Sequence, residues 1–354
     1  MIKQRTLLVD AQYLLKKSFS GNKNTYTSVG HIGGLYSFMT SLRMYMKNYK
    51  PHKVVLAWDG ANGGIYRQSI DRAYKANRKN KKWSGKIELS EIEFKREAEK
   101  DESILFQKKR IQAYCEELYI RQIEVENIEA DDLIAQYVMD NTNQEDITLY
   151  TNDRDFCQLL DYDITIKFNN IKVDITKSNF KIEFGYNYKN ALPFKIMSGD
   201  APDNIKGVEG IGEKSLMRYI PELKHKSMTV REICLRARQI NEERLVSKPK
   251  KKEIKSFVTL LNSVERLKLN YRLINLSEPF LNDEAIEEIK QLVMPLDDKD
   301  ENGKLNRGSK YLLQLMKEDE FMTIYSGSFN SYVEPFYNVI LSEKKKLKEY
   351  EDSI

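Results

Sequence analysis

Carboxylates that close short apolar runs constrain this chain more than any other feature. Asp10 ends Thr6-Leu-Leu-Val-Asp10, Asp59 ends Val54-Val-Leu-Ala-Trp-Asp59, and Asp153 ends Ile147-Thr-Leu-Tyr-Thr-Asn-Asp153. Further acids stand in Glu129-Ala-Asp131-Asp132, at Asp155, and in Gly199-Asp200-Ala-Pro-Asp203. An apolar run of four or five residues closed by an acid reads as a buried strand whose end opens on a crevice, as in an open α/β sheet. Like charges gathered in one crevice repel unless cations sit among them. An oxygen-only set suits Mg²⁺ or Mn²⁺.

The spacing between these runs predicts an α/β fold. Residues Thr6 to Val9 read as a first strand and Lys53 to Trp58 as a second. Between them, Ile32, Leu35, Tyr36, Met39, Leu42, Tyr45 and Met46 recur at helical spacing before Pro51, so the unit reads as a βαβ crossover in a parallel sheet. Arg121 to Val125 and Asp146 to Tyr150 read as strands, Ala130 opens a helix, and Arg154 to Leu160 form a helical turn. Ile164 to Phe168 and Ile171 to Ile175 alternate about Asn169-Asn170 and read as a hairpin or bent strand. Ile104, Ile111 and Leu118 predict a helix of roughly four turns. The sparse apolar content of 76–100 predicts a segment that projects from the core.

The α/β core is expected to end near residue 185, with mainly helical sequence from 190 to 265. Lys248 to Lys252 read as an exposed loop, Asp297 to Ser309 as a linker, Tyr311 to Val339 as packed, and Lys344 to Ile354 as a solvated tail. The division expected is therefore 1–185, 186–295 and 296–354.

Composition excludes several classes. Three histidines and three cysteines, all far apart, match no zinc spacing, triad or disulfide framework among the 354 residues. No apolar stretch reaches membrane-spanning length and no signal peptide is read at the start, so a soluble protein of a reducing cytoplasm is expected. A net charge of +5 laid over so acidic a site means that basic groups concentrate elsewhere. They do so from Tyr66 to Lys86, where Asp71 is the only acid.

Singly, each acid has a structural role to hand. Asp131 and Asp132 suit a helix first turn, and Asp153 suits an N-cap. Jointly they supply what an in-line phosphoryl displacement needs. Two ions about 4 Å apart activate water and neutralise the phosphate and its leaving oxygen, without a nucleophilic side chain. A calcium module is the metal-only competitor, but no EF-hand loop is present.

The order of Val9-Asp10, Trp58-Asp59, Glu129-Ala-Asp-Asp132, Asn152-Asp-Arg-Asp-Phe156 with Gln158-Leu159, and Ser198 through Ser215 resembles the 5′ nuclease family of flap endonucleases and 5′–3′ exonucleases. The likeness runs from about residue 5 to 220, and small stand-alone phage members, including the phage ribonuclease H type, are similar in size. It implies a PIN-like core with a mostly parallel twisted sheet, a helical arch near 79–110 that lacks order without DNA, and a helix–three-turn–helix region. It also implies a first metal site around Asp10, Asp59, Glu129 and Asp131, and a second using Asp132, Asp153, Asp155, Asp200 and Asp203. Arg154 departs from the glycine or lysine common at that position.

Tyr74-Lys75-Ala-Asn-Arg78 is similar to the basic motif at the foot of the family's arch. Lys75 and Arg78 can meet the scissile phosphate, and Tyr74 can stack on an unpaired base. Gly207, Gly210, Gly212, Lys214 and Ser215 resemble a helix–hairpin–helix turn, which grips a duplex backbone and in relatives holds K⁺ on its carbonyls. The resemblance implies a Mg²⁺-dependent enzyme, with Mn²⁺ as substitute, acting on 5′ flaps, nicks, gaps and RNA–DNA primers. A monomer is expected, working in lagging-strand maturation with a single-strand DNA-binding protein or clamp, in a host cytoplasm if phage-encoded. A single-strand RNase of the related PIN type is opposed by the helix–hairpin–helix string. A non-catalytic DNA-binding protein is opposed by the full set of acids.

Overall fold

The computed structural model describes residues 3–77, 91–247, 252–294 and 307–352. The chain forms two compact units, each discontinuous in sequence: 1–60 with 87–152 and 281–354, and 61–86 with 153–280.

The first unit is built on four parallel strands: β1 (Gln4–Asp10), β2 (Lys53–Ala57), β3 (Arg121–Ile123) and β4 (Glu145–Thr151), in the order β3-β2-β1-β4. Every residue of β2 is buried, as a strand covered on both faces requires. Helix α1 (Ala11–Gly21) starts directly after β1, and α2 (Gly33–Tyr49) packs on it. Helix α2 stops at Lys50, in left-handed conformation (φ 44°), just before Pro51. Helix α3 (Glu91–Glu117) and α4 (Ala130–Asn141) complete the set that positions the acids. Gln107 of α3 is buried and accepts the Leu35 amide at 2.8 Å, tying α3 to the start of α2.

Helix α3 corrects two expectations. It is much longer than four turns, and residues 91–110, expected to lack order, are helical. The rest of the expected arch, through residue 90, and all but its last residue of the lysine loop 248–252 lie outside the described residues. So does most of the expected linker 297–309.

The C-terminal segment joins the same core. Leu312, Met316, Phe321, Tyr332, Val333, Phe336 and Val339 pack with residues of β1, β2, α1 and α2. The final helix runs Tyr337–Glu351, so most of the expected solvated tail is ordered. Its buried Glu343 pairs with Arg121 of β3, Leu347 is buried, and Lys346 donates to Gln4 at 2.8 Å. A buried ion pair adds little net stability, because desolvating both charges offsets their attraction.

The second unit is mainly helical: α5 (Ala191–Ser198), α6 (Glu213–Tyr219), α7 (Val230–Ser247), α8 (Lys255–Leu261) and α9 (Val264–Ile274). The expected hairpin is a strand, Thr165–Phe168, with one antiparallel bridge from Ile166 to Ile175. Two buried asparagines staple the helices. Asn270 of α9 donates to the Ile196 and Lys206 carbonyls at 2.8 and 2.9 Å. Asn190 donates to the Leu223 and Lys226 carbonyls, each at 2.8 Å. Among the described residues no helix is long and apolar enough to cross a membrane.

Candidate active site

In the first unit, strand register gathers the acids at one edge. Asp10 stands opposite Ala57, two residues before Asp59, and Val9 stands opposite Tyr150. Ala57 is in turn opposite Ile123, so the loop to Glu129 leaves from the same C-terminal edge. Asp10 is buried and caps α1, accepting the Tyr13 amide at 2.9 Å and the Thr151 hydroxyl at 3.1 Å. Asp59 accepts the Ala130 amide at 3.0 Å, which fixes it to the start of α4. Glu129 occupies the N-cap position of that helix, with Asp131 and Asp132 in its first turn. Glu129 and Asp132 are buried, and Asp131 is half-buried. Negative charge at a helix start is favoured by the amides there, so the helix offsets part of the cost of crowding.

An aromatic wall lines the same edge. Burial first, then Tyr150 and Asp10, push the Tyr13 phenol up to about 12. Lys17 of α1 reaches the Tyr150 hydroxyl at 2.9 Å.

In the second unit Asp153 caps the 3₁₀ turn Arg154–Tyr162 by accepting the Asp155 amide at 2.8 Å. Lys195 of α5 bridges two of the expected ligands, its Nζ lying 2.8 Å from Asp155 and 3.2 Å from Asp200. Burial, reinforced by Asp153 and opposed by Lys195, pushes the Asp155 carboxyl up to about 7. Burial also raises Asp200, with Lys195 opposing and Asp203 adding to it. For Lys195, burial favours the neutral form, but Asp155 and Asp200 outweigh it and raise its proton affinity. Lys195 was not among the residues singled out from sequence. Its one signal is a lone lysine in the apolar run of α5, five residues before Asp200.

Asp203 is held by the basic motif. The Tyr74 hydroxyl donates to it at 3.2 Å, the Lys75 ammonium lies 3.7 Å away, and the Lys75 amide donates to its carbonyl at 2.8 Å. Lys75 adopts a left-handed φ of 54°, an unusual conformation for a lysine and one held here by these contacts. Tyr74 corrects the sequence reading: its side chain is 3% exposed among Ile205, Leu273 and Ile274, so its face is not open to a base. Arg67 is likewise buried, donating to the Leu273 carbonyl at 2.9 Å. Arg78 lies outside the described residues.

The glycine-rich turn is tightly built. A Cβ at Gly207 would meet the Ser198 carbonyl at 2.0 Å, and Gly210 has a φ of +77°. Ser215 caps its own helix, accepting the Gly212 amide at 2.9 Å and donating to the Gly212 and Gly210 carbonyls. Its hydroxyl thus shapes the turn. Lys214 is exposed.

Among the described residues, no group of three or more His, Cys, Asp or Glu side chains is set to hold a metal ion as it stands. In the second unit a cause is visible: the Lys195 ammonium lies 2.8 Å from Asp155 and 3.2 Å from Asp200. The donor chemistry nonetheless fits a hard divalent cation. All the candidate ligands are carboxylates, and in the second unit burial, with neighbouring acids adding to it, raises Asp155 and Asp200.

The comparisons agree with this picture. The family model for the 5′-3′ exonuclease, N-terminal resolvase-like domain, matches residues 5–185. A 5′-3′ exonuclease of Bacillus subtilis is 30% identical over 233 residues, covering 63% of this chain and 71% of that protein. DNA polymerase I of Caldicellulosiruptor bescii is 30% identical over 227 residues, 62% of this chain but only 24% of the polymerase. The bacteriophage T5 D15 flap endonuclease, solved with DNA and metal ions, shares the fold with a TM-score of 0.60 at 18% identity, covering 82% of this chain and 99% of that one. With its parallel sheet edged by acids and a family match over half its length, the chain belongs to the metal-dependent 5′–3′ exonuclease family of 5′ nucleases.

Proposed function

We propose that this chain is a structure-specific 5′ nuclease that hydrolyses phosphodiesters near the 5′ ends of flaps, nicked or gapped duplex DNA and RNA–DNA primers. The observation that carries the reading is the register that brings Asp10, Asp59 and the Glu129–Asp132 segment to one edge of a parallel sheet. Asp10, Asp59, Glu129 and Asp131 would hold one ion; Asp132, Asp153, Asp155, Asp200 and Asp203 would hold a second. Mg²⁺ is the ion proposed, with Mn²⁺ able to replace it, since both favour oxygen ligands. When bound, such ions lower the pKa of water and neutralise the phosphate.

The chain's own residues prepare that chemistry. Amides at the starts of α1 and α4 hold Asp10 and Asp59 in fixed orientation. Lys195 offsets the repulsion between Asp155 and Asp200 in the ion-free protein and would yield its place to the ion. Lys75, within 3.7 Å of Asp203, and Arg78 would offset charge that develops on the phosphate. Gly207, Gly210, Gly212 and Lys214 would lie along a duplex backbone, with Ser215 shaping the turn and a K⁺ on its carbonyls. Such contacts read shape, so sequence preference should be low and binding should weaken with salt. In this reading residues 1–185 form the nuclease core, 186–295 grip DNA and 296–354 extend the core. Action as a monomer in the cytoplasm, in lagging-strand maturation beside a single-strand DNA-binding protein or clamp, completes the proposal.

The test is incubation with 5′-flap, nicked and RNA-primer substrates, with Mg²⁺ or with chelator, followed by product sizing. Defined products released from the 5′ end only with Mg²⁺ are expected. Equal cleavage in chelator, or none with either Mg²⁺ or Mn²⁺, would reject the reading.

A further inference from the structure

In the second unit, a cavity of about 710 Å³ opens between the first turn of α7 and the length of α9. Its apolar wall is one stripe of α9: Val264, Leu267 and Tyr271 recur at intervals of three and four, with Lys268 and Arg272 alongside. Helix α7 faces it with Arg231 and Cys234. Val264 is 50% exposed and Tyr271 40% exposed. Leu267 is buried, and Val264 and Tyr271 leave the two ends of the stripe open to water, where apolar side chains of a partner would cover them.

The chemistry of the walls selects the occupant. A small metabolite needs convergent polar groups to orient it, and this wall is aliphatic and aromatic. Nucleic acid would meet the basic rim through its phosphates but would leave the apolar stripe uncovered. A peptide with large apolar side chains, laid along the stripe, would fill it. The rim sets the charge of that peptide. Arg231, Lys268 and Arg272 line the cavity and no acid does. Lys268 is already paired with Glu265 at 2.8 Å, whereas Arg231 and Arg272 make no ion pair among the described residues. We propose that this groove docks an acidic peptide segment of another protein, anchored by aliphatic or aromatic side chains and flanked by carboxylates that meet Arg231 and Arg272. The proposal is independent of the nuclease chemistry.

The probe is a fluorescein-labelled synthetic peptide of aspartates and glutamates with leucine and phenylalanine anchors, titrated with the full chain. Two controls replace its acids by lysines and its anchors by serines. Only the acidic, anchored peptide should bind. Val264→Glu, and Arg231→Glu with Arg272→Glu, should each weaken binding at least about tenfold. The fold, read by far-ultraviolet circular dichroism and thermal unfolding, should be unchanged by these exposed substitutions. Alkylation of Cys234, which is half-exposed while Cys115 and Cys157 are buried, should slow when the peptide binds. Equal binding of all three peptides, no binding, or binding indifferent to the substitutions would overturn the proposal. So would a loss of duplex DNA affinity in the variants without peptide binding, which would make the groove a nucleic-acid contact.

Discussion

The two acid groups are held by different means. In the first unit, Asp10 and Asp59 accept amides at the starts of α1 and α4, and Asp10 also accepts the Thr151 hydroxyl. In the second, Asp155 and Asp200 share the Lys195 ammonium, and Asp203 faces Lys75. Amides and hydroxyls orient a carboxylate and leave its charge available to an ion. An ammonium orients it while competing with the ion for that charge. Under the proposed metal chemistry, the amides would orient Asp10 and Asp59 for an ion in advance, whereas at Asp155 and Asp200 an ion would have to displace Lys195. Removal of an acid from the first group should cost more than removal of one that faces a lysine in the second.

The largest effect expected is on catalysis. Asp131→Asn should lower the single-turnover rate roughly a thousandfold, about 4 kcal/mol, with flap affinity within a few-fold. Asp203→Asn should cost only about tenfold, because Tyr74 and Lys75 already satisfy that side chain. Equal losses from the two would erase the distinction between the groups, and a parallel loss of binding would make Asp131 structural. Asn270→Ala should lower unfolding free energy by about 2 kcal/mol in denaturant titration, because the buried Ile196 carbonyl and the part-buried Lys206 carbonyl lose their donor. Those carbonyls flank the segment carrying Asp200 and Asp203, so unchanged stability would mean that the second group needs no such staple.

Smaller effects sharpen the contrast. Lys195→Met removes the competing cation, and calorimetric Mn²⁺ titration of the DNA-free protein should show the weaker site tightening about tenfold, or 1.4 kcal/mol. Weaker Mn²⁺ binding would instead make Lys195 a support for ion capture. Gly210→Ala should cost about 1 kcal/mol of stability, because φ is +77° there, and leave Mn²⁺ binding unaltered. A change in ion affinity would tie the turn to the acids.

Much of the sheet and its acid edge is legible because strand and carboxylate are adjacent in sequence. Runs such as Val54 to Trp58 can only be buried, and the acid that follows each must sit at its end. Helix α1 escaped that reading, although Ala11, Leu14, Leu15, Ser18 and Phe19 are the residues it buries and they keep helical spacing. The pair Lys16-Lys17 and the short length masked the stripe. Long-range pairing is invisible for a different reason. Nothing near Tyr74 announces that Ile205, Leu273 and Ile274 will enclose its ring, so its lysine-rich neighbours made it look solvated. Lys195 meets Asp155 across forty residues of chain. The C-terminal lysines look like a tail until Glu343 meets Arg121. Composition describes neighbours in sequence, and these side chains are decided by neighbours in space.

Anomalous scattering from crystals grown with Mn²⁺ and an uncleavable 5′-flap DNA tests most directly whether the acids capture divalent ions. Peaks ligated by carboxylates of the Asp10, Asp59, Glu129 and Asp131 set are expected, with a weaker peak at Asp155 and Asp200 that strengthens in Lys195→Met. Peaks away from these acids, in a protein that still cleaves the ordinary flap with Mn²⁺, would contradict it.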